Sequence, residues 1–201
     1  MFKNREDAAR QLSEHITVKN PDRTLVLGLP RGGVPLAKII AEKHDLPLDV
    51  IHAKKIGHPQ HPEFAVGAVA EGGEPIWSQN QFVQTDAVEA VREETRRRRE
   101  LYDCFLESKE VADQHVILVD DGIATGLTMF AAIEAVKEKD AQTISIAVPV
   151  IPQDTYKKLI QQVDQVFYVE VPRVFLNSVG AYYQDFSQVD DSEIEKLLSK
   201  E

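Results

Sequence analysis

The chain predicts an α/β fold in which a doubly wound, mostly parallel sheet is flanked by helices, with a β-hairpin or loop insertion. Three observations carry the prediction. Apolar residues come in short unbroken runs, such as Leu25-Val26-Leu27 and Val116-Ile117-Leu118-Val119, as in strands buried on both faces. Helical periodicity separates the runs, and strands alternating with helices pair in parallel through right-handed crossovers. Two strand-to-helix junctions, at Pro30-Arg31-Gly32-Gly33 and at Gly122-Ile123-Ala124-Thr125-Gly126, are short and carry glycine. Open sheets of this class bind ligands beyond the carboxyl ends of their strands.

The elements follow in order. Asn4 is placed to cap a first helix with Ala8, Ala9, Leu12 and Ile16 on one face. Residues 24–29 read as a buried strand, the Pro30 segment as a turn, and residues 34–43 as the helix after it. Residues 48–53 read as a second strand, and residues 54–63, interrupted by Pro59 and Pro62, as a loop. Residues 65–70 and 75–77 flank Glu71-Gly72-Gly73, which predicts a hairpin turn. Residues 85–108 read as one long polar helix containing Arg96-Arg97-Arg98-Arg99. Consecutive arginines point around a helix, and Glu89, Glu93, Glu94 and Glu100 lie at ion-pair spacing. The quartet therefore reads as a solvated face, with a subunit contact as the alternative.

Beyond it, residues 116–119, 143–150 and 165–170 read as strands and residues 128–139 and 154–162 as helices. The stretch 171–187 is aromatic and irregular, and Asp190 is placed to cap a last helix through Leu198. No repeat, low-complexity tract or Pro/Gly/Ser linker divides the chain. Residues 1–201 are therefore expected to form one domain, with a core over roughly 24–170 and a tail over roughly 171–201.

Composition narrows the function. A net charge of −10 argues against a nucleic-acid partner, which selects a basic excess. The single cysteine, Cys104, forbids an internal disulfide and fits a reducing compartment. No apolar run reaches membrane-spanning length, and the first residues lack the apolar core of a secretory signal. The expectation is a cytoplasmic protein with no membrane partner.

The most informative stretch runs from His115 to Thr128. Asp120 and Asp121 follow the apolar run directly. The small residues after them let backbone N–H groups approach an anion at the amino end of a helix, where free N–H groups and the dipole favour phosphate. Two carboxylates beside such a cradle suit sugar hydroxyls or a divalent cation. The implied ligand is a ribose 5-phosphate unit. The P-loop and dinucleotide glycine patterns are absent.

This segment, an apolar strand followed by Asp-Asp, a variable pair and Ala-Thr-Gly-x-Thr, resembles the 5-phosphoribosyl-1-pyrophosphate (PRPP) signature of type I phosphoribosyltransferases. The junction from Gly28 to Ala37 resembles the pyrophosphate loop of the same family. Residues 54–73 resemble a branch of the family without an assigned acceptor, with His58 where adenine-specific members have a second lysine. The resemblance implies a transferase that moves the 5-phosphoribosyl group from PRPP to an unidentified nitrogenous, nucleobase-like acceptor. It implies Mg2+ as cofactor, held mainly through PRPP, and no resident metal.

The implied roles are as follows. Asp120 and Asp121 take the ribose diol, and Ala124, Thr125, Gly126, Leu127 and Thr128 take the 5-phosphate. Arg31, Gly32, Gly33, Lys54 and Lys55 serve the pyrophosphate end. A hood from the chain termini covers the acceptor, with Phe175, Tyr182 and Tyr183 either stacking on a planar base or closing the core edge. His58 and His61 read as an exposed loop pair or, alternatively, as metal ligands. The competing function is a non-catalytic PRPP- or nucleotide-binding regulator on the same fold. A homodimer is a further expectation, from the length of the polar helix.

Overall fold

The computed structural model describes residues 1–58, 60–78 and 85–199, and only the backbone of Pro62, Glu63 and Thr85. Pro59, read above as a loop breaker, lies outside the described residues.

Helix α1 (Arg5–Ser13) is capped as its sequence requires, the Asn4 side chain accepting from the Asp7 N–H at 2.9 Å. Strand β1 (Thr24–Gly28), helix α2 (Gly33–His44) and strand β2 (Leu48–Val50) form the first crossover unit. Strands β3 (Ala53–His58), β4 (His61–Ala70) and β5 (Ile76–Trp77) follow, then the long helix α3 (Thr85–Asp103). The second half alternates β6 (His115–Val119), α4 (Leu127–Glu138), β7 (Thr143–Val150), α5 (Gln153–Leu159) and β8 (Gln165–Glu170), and ends in α6 (Asp191–Leu198).

Strands β2, β1, β6, β7 and β8 make one five-stranded sheet in that order, every pair parallel. Alternate residues of each strand fill opposite layers. Leu25, Leu27, Val116, Leu118, Ile146 and Val148 pack with α4 and Leu159 of α5, whereas Val26, Ile117, Val119 and Ala147 pack with α1 and α2. Burial on both faces explains the unbroken apolar runs. Each such Leu, Ile or Val contributes about 1.5–3 kcal/mol by leaving water.

The predicted loop over residues 54–63 is instead half of a second, antiparallel sheet in the order β3-β4-β5. Ala-Lys-Lys-Ile-Gly-His lacks a two-residue alternation, so its pairing comes from β4 rather than from local pattern. Ala68 and Ala70 of β4 join the main core, while Val66 and Val69 pack with Ile56 and Val88 of α3. The turn after β4 behaves as predicted, with Gly72 at φ +74° and the Gly73 N–H on the Ala70 carbonyl.

The predicted second strand is cut short at Val50, where β2 leaves the main sheet. The predicted polar helix ends at Asp103, not at residue 108, and exposed Cys104 lies just past its end. Arg96, Arg97 and Arg98 pair with Glu93 and Glu94 on the same helix. Arg99 is different: it reaches buried Asp49 at 3.0 Å. Among the described residues, no helix is long and apolar enough to cross a membrane.

Candidate functional site

The order of the main sheet reverses between β1 and β6: from β1 the chain moves to β2 on one side, and from β6 to β7 and β8 on the other. Ligands in open α/β sheets bind at such a switch point. The loops leaving β1 and β6 are the two glycine-bearing junctions, and they touch. A Cβ on Gly33 would lie 2.4 Å from the Val119 carbonyl oxygen, so only glycine lets the first loop ride over the end of β6. A Cβ on Gly32 would lie 2.0 Å from Oδ2 of Asp121, so that carboxylate occupies the space a side chain would need. Gly32 has ordinary helical angles, φ −62° and ψ −30°, so close approach rather than unusual backbone requires glycine there. The Pro30–Arg31 peptide between the loop and β1 is cis.

Asp120 and Asp121 stand side by side at the end of β6. The Asp121 N–H donates to Oδ1 of Asp120 at 2.8 Å. Oδ2 of Asp121 accepts from Nε of Arg5 at 2.8 Å, an ion pair with side chains only 14% and 13% exposed. Tyr183 Oη donates to the Asp121 carbonyl at 2.6 Å. The Arg5 guanidinium lies 4.0 Å over the Phe186 ring and donates to the Ser187 carbonyl at 2.7 Å. Burial, then the charge of Asp121, pushes the Asp120 carboxyl well above the usual carboxylate range. Burial raises Asp121 too, against the opposing pull of Arg5. Arg5, Arg31, Gly32, Asp121, Phe186 and Gln188 line a cleft of about 470 Å³. Among the described residues the Arg31 side chain makes no ion pair or hydrogen bond, so its cation is available to a ligand.

The loop from Gly122 to α4 is held from behind. The Ile123 N–H donates to the Val150 carbonyl at 2.9 Å, and Thr155 Oγ1 donates to the Ala124 carbonyl at 3.0 Å. Gly126 caps α4 at φ +82°, a left-handed angle that glycine adopts without strain. With the Ile123 amide and the Ala124 carbonyl tied back, the amides of Ala124, Thr125, Gly126, Leu127 and Thr128 have no acceptor among the described residues. They form a run of free donors at the positive end of a helix dipole.

Lys54 and Lys55, adjacent on β3, point to opposite faces. Lys54 turns toward α3, 3.9 Å from Glu94. Lys55 pairs across the strand with Ala68, on the face that joins the main core. At the hairpin tip the His58 and His61 rings stack at 5.6 Å, and His58 Nδ1 accepts from the Gln60 N–H at 3.2 Å. Among the described residues no group of three or more His, Cys, Asp or Glu side chains could hold a metal.

Tyr182 is buried and stacks on Phe175 at 5.3 Å, and its hydroxyl accepts from the Leu176 N–H at 3.1 Å. The hood itself joins Phe2 to residues 182–184. The Phe2 N–H donates to the Tyr182 carbonyl at 2.7 Å, and the Gln184 N–H donates to the Phe2 carbonyl at 2.8 Å. Arg5 and the hydrogen bond of Tyr183 to Asp121 escape the sequence, since these contacts span 116 and 62 positions and leave no local pattern. His52, just past β2, also escapes it. Its ring is buried against Tyr102 at 5.2 Å, and Nε2 has no partner among the described residues. Burial, then the charges of Arg99 and Arg98, lowers its pKa to about 4.

Residues 1–185 match the family model described as phosphoribosyl transferase domain. A Mycobacterium tuberculosis protein provisionally named a phosphoribosyl transferase is 33% identical over 208 residues, covering 100% of this chain and 47% of its own length. The chain thus spans about half the length of the curated relatives it matches. A crystal structure of the Thermus thermophilus protein TT1426 superposes with a TM-score of 0.81 at 35% identity, covering 98% of this chain and 97% of that one.

Proposed function

The chain belongs to the phosphoribosyl transferase family, and from that premise we propose that it transfers the 5-phosphoribosyl group of PRPP to a nitrogenous, nucleobase-like acceptor, releasing pyrophosphate. One observation carries the reading: the loops after the adjacent strands β1 and β6 bring an unpaired arginine side chain, a pair of carboxylates and a run of five free amides to the same switch point of the sheet, with Arg31 and Asp121 lining one cleft. A sugar phosphorylated at two positions calls for a donor cradle, an acceptor pair and a cation.

Breaking the anomeric bond to pyrophosphate leaves positive charge on the ribosyl ring and puts negative charge on the leaving group. No covalent nucleophile is needed; catalysis rests on positioning and electrostatic stabilisation. The amides of Ala124 to Thr128 hold the 5-phosphate, and Asp120 and Asp121 accept from the ribose hydroxyls. Arg31, with the Gly32 and Gly33 backbone, faces the leaving pyrophosphate, and Lys55 adds charge from β3. The adjacent carboxylates of Asp120 and Asp121 fit a Mg2+ ion that would enter on PRPP. When bound, it would neutralise pyrophosphate charge. Phe175 and Tyr182, committed to each other, serve the acceptor as a hood wall. Cytoplasmic location and pairing of two subunits belong to the same reading.

The test is incubation with PRPP, Mg2+ and a panel of nitrogenous bases, following pyrophosphate. The reading expects release that depends on one class of base. Asp120→Asn with Asp121→Asn should cut that release by on the order of a hundredfold or more. Tight PRPP binding with no base-dependent release would instead identify a regulator.

A further inference from the structure

We propose that Arg5 is a positioning residue of the donor site, holding Asp121 in the orientation that receives the ribose hydroxyls and tying the hood to it. The proposal rests on the reading of Asp120 and Asp121 as the ribose site.

Asp121 is fixed from three directions. Oδ2 takes the Arg5 Nε–H at 2.8 Å, its carbonyl takes the Tyr183 hydroxyl at 2.6 Å, and its carboxylate fills the space beside Gly32 where a Cβ would lie 2.0 Å from Oδ2. Arg5 is its only cationic partner among the described residues. Arg5 is held in turn: Nη1 donates to the Ser187 carbonyl, and the guanidinium rests on the Phe186 ring. A planar fork on an aromatic plate reaches the carboxylate in one direction, which a flexible ammonium cannot do. Arg5 and Asp121 line the same cleft as Arg31 and Gly32, so the clamp closes on the working face of the site. Two adjacent part-buried carboxylates repel each other, and one cation at Oδ2 offsets that repulsion while leaving Oδ1 of Asp121 without an N–H donor. Helix α1 and the residues after Tyr182 thus act on the donor through one residue, Asp121.

The test uses the full chain and PRPP with Mg2+ as probe, with affinity measured by calorimetry and folding by thermal melting. Arg5→Met should weaken PRPP affinity about tenfold, the order of effect seen for partners that orient a binding group. Arg5→Lys should recover part of the loss. In an Asp121→Asn background the Arg5→Met change should have no further effect on affinity, because its action passes through that carboxylate. A residue that only staples the hood would move the melting temperature and shift affinity equally in both backgrounds. Unchanged affinity in Arg5→Met, or equal losses with and without the Asp121 carboxylate, overturns the proposal. Should the Met variant fail to fold, the Lys variant alone carries the cycle. A wild-type chain that does not bind PRPP overturns the functional reading and this inference together. Wild-type binding with an unaffected variant overturns this inference alone.

Discussion

Two Asp–Arg pairs sit near the carboxyl edge of the main sheet, and they are built differently. Asp49 of β2 is saturated: Oδ1 accepts from the Val50 N–H and lies 3.0 Å from Arg99 Nη1 in an ion pair, and Oδ2 accepts from Arg99 Nη2 and the Lys109 N–H. Its side chain is 4% exposed. Asp121 of the switch point has one cation at one oxygen, lies beside a second carboxylate, and borders an open cleft. The saturated pair anchors α3 to the sheet. The unsaturated pair keeps acceptor capacity in reserve, which a structural ion pair has no use for and a ligand site needs.

The largest effect that would test this contrast is on stability. Arg99→Met leaves Asp49 buried among donors without its cation and should cost about 3 kcal/mol in chemical denaturation. PRPP affinity should change little. Arg5→Met should cost clearly less stability, because Asp121 borders the cleft and can regain water. Equal losses in the two variants would break the comparison.

A second effect concerns pH. In the folded state burial, then the charge of Asp121, raises the Asp120 carboxyl. A raised carboxyl contributes stability while protonated, below its unfolded value of about 4, and loses it as pH rises through the folded value. Asp120→Asn, neutral throughout, should therefore melt higher than wild type at pH 8, with the advantage fading toward pH 4. A constant difference across that window would mean that the carboxylate pair carries no stored repulsion.

The smallest effect separates adjacent lysines. Lys54→Ala removes only an exposed contact to Glu94 and should shift stability by about 0.5 kcal/mol or less, leaving PRPP affinity alone. Lys55→Ala should weaken PRPP binding without altering the melting temperature. The reverse pattern, read by calorimetry and melting, would place the pyrophosphate end on the α3 side of β3.

The parts of this molecule that were legible are those written in contiguous residues. The apolar run into Asp120 and Asp121, the small residues up to Thr128 and the glycines after β1 each announce a strand, a loop and a helix start. The β3–β4 hairpin was not legible, because Lys54, Lys55 and Gly57 carry no strand pattern and the order is supplied by cross-strand partners. Arg5 was not legible either. It reads as a polar position near the start of an amphipathic helix, and its role exists only once residues 183–187 fold over it. The contact of Gly32 with Asp121 lay between these cases: glycine signalled close approach, and the sequence did not say to what.

The backbone pairing of Phe2 with Tyr182 and Gln184 has a consequence for synthesis. A chain leaving the ribosome makes β1 and β6, and with them both glycine-bearing loops, well before residue 183 is translated. The contacts of Tyr183 with Asp121 and of Ser187 with Arg5 can close only after the segment that carries them has been made. A chain shortened before Tyr183 would lack the contacts that hold Asp121 and Arg5, so the cleft beside Asp121 depends on residues far from it in sequence.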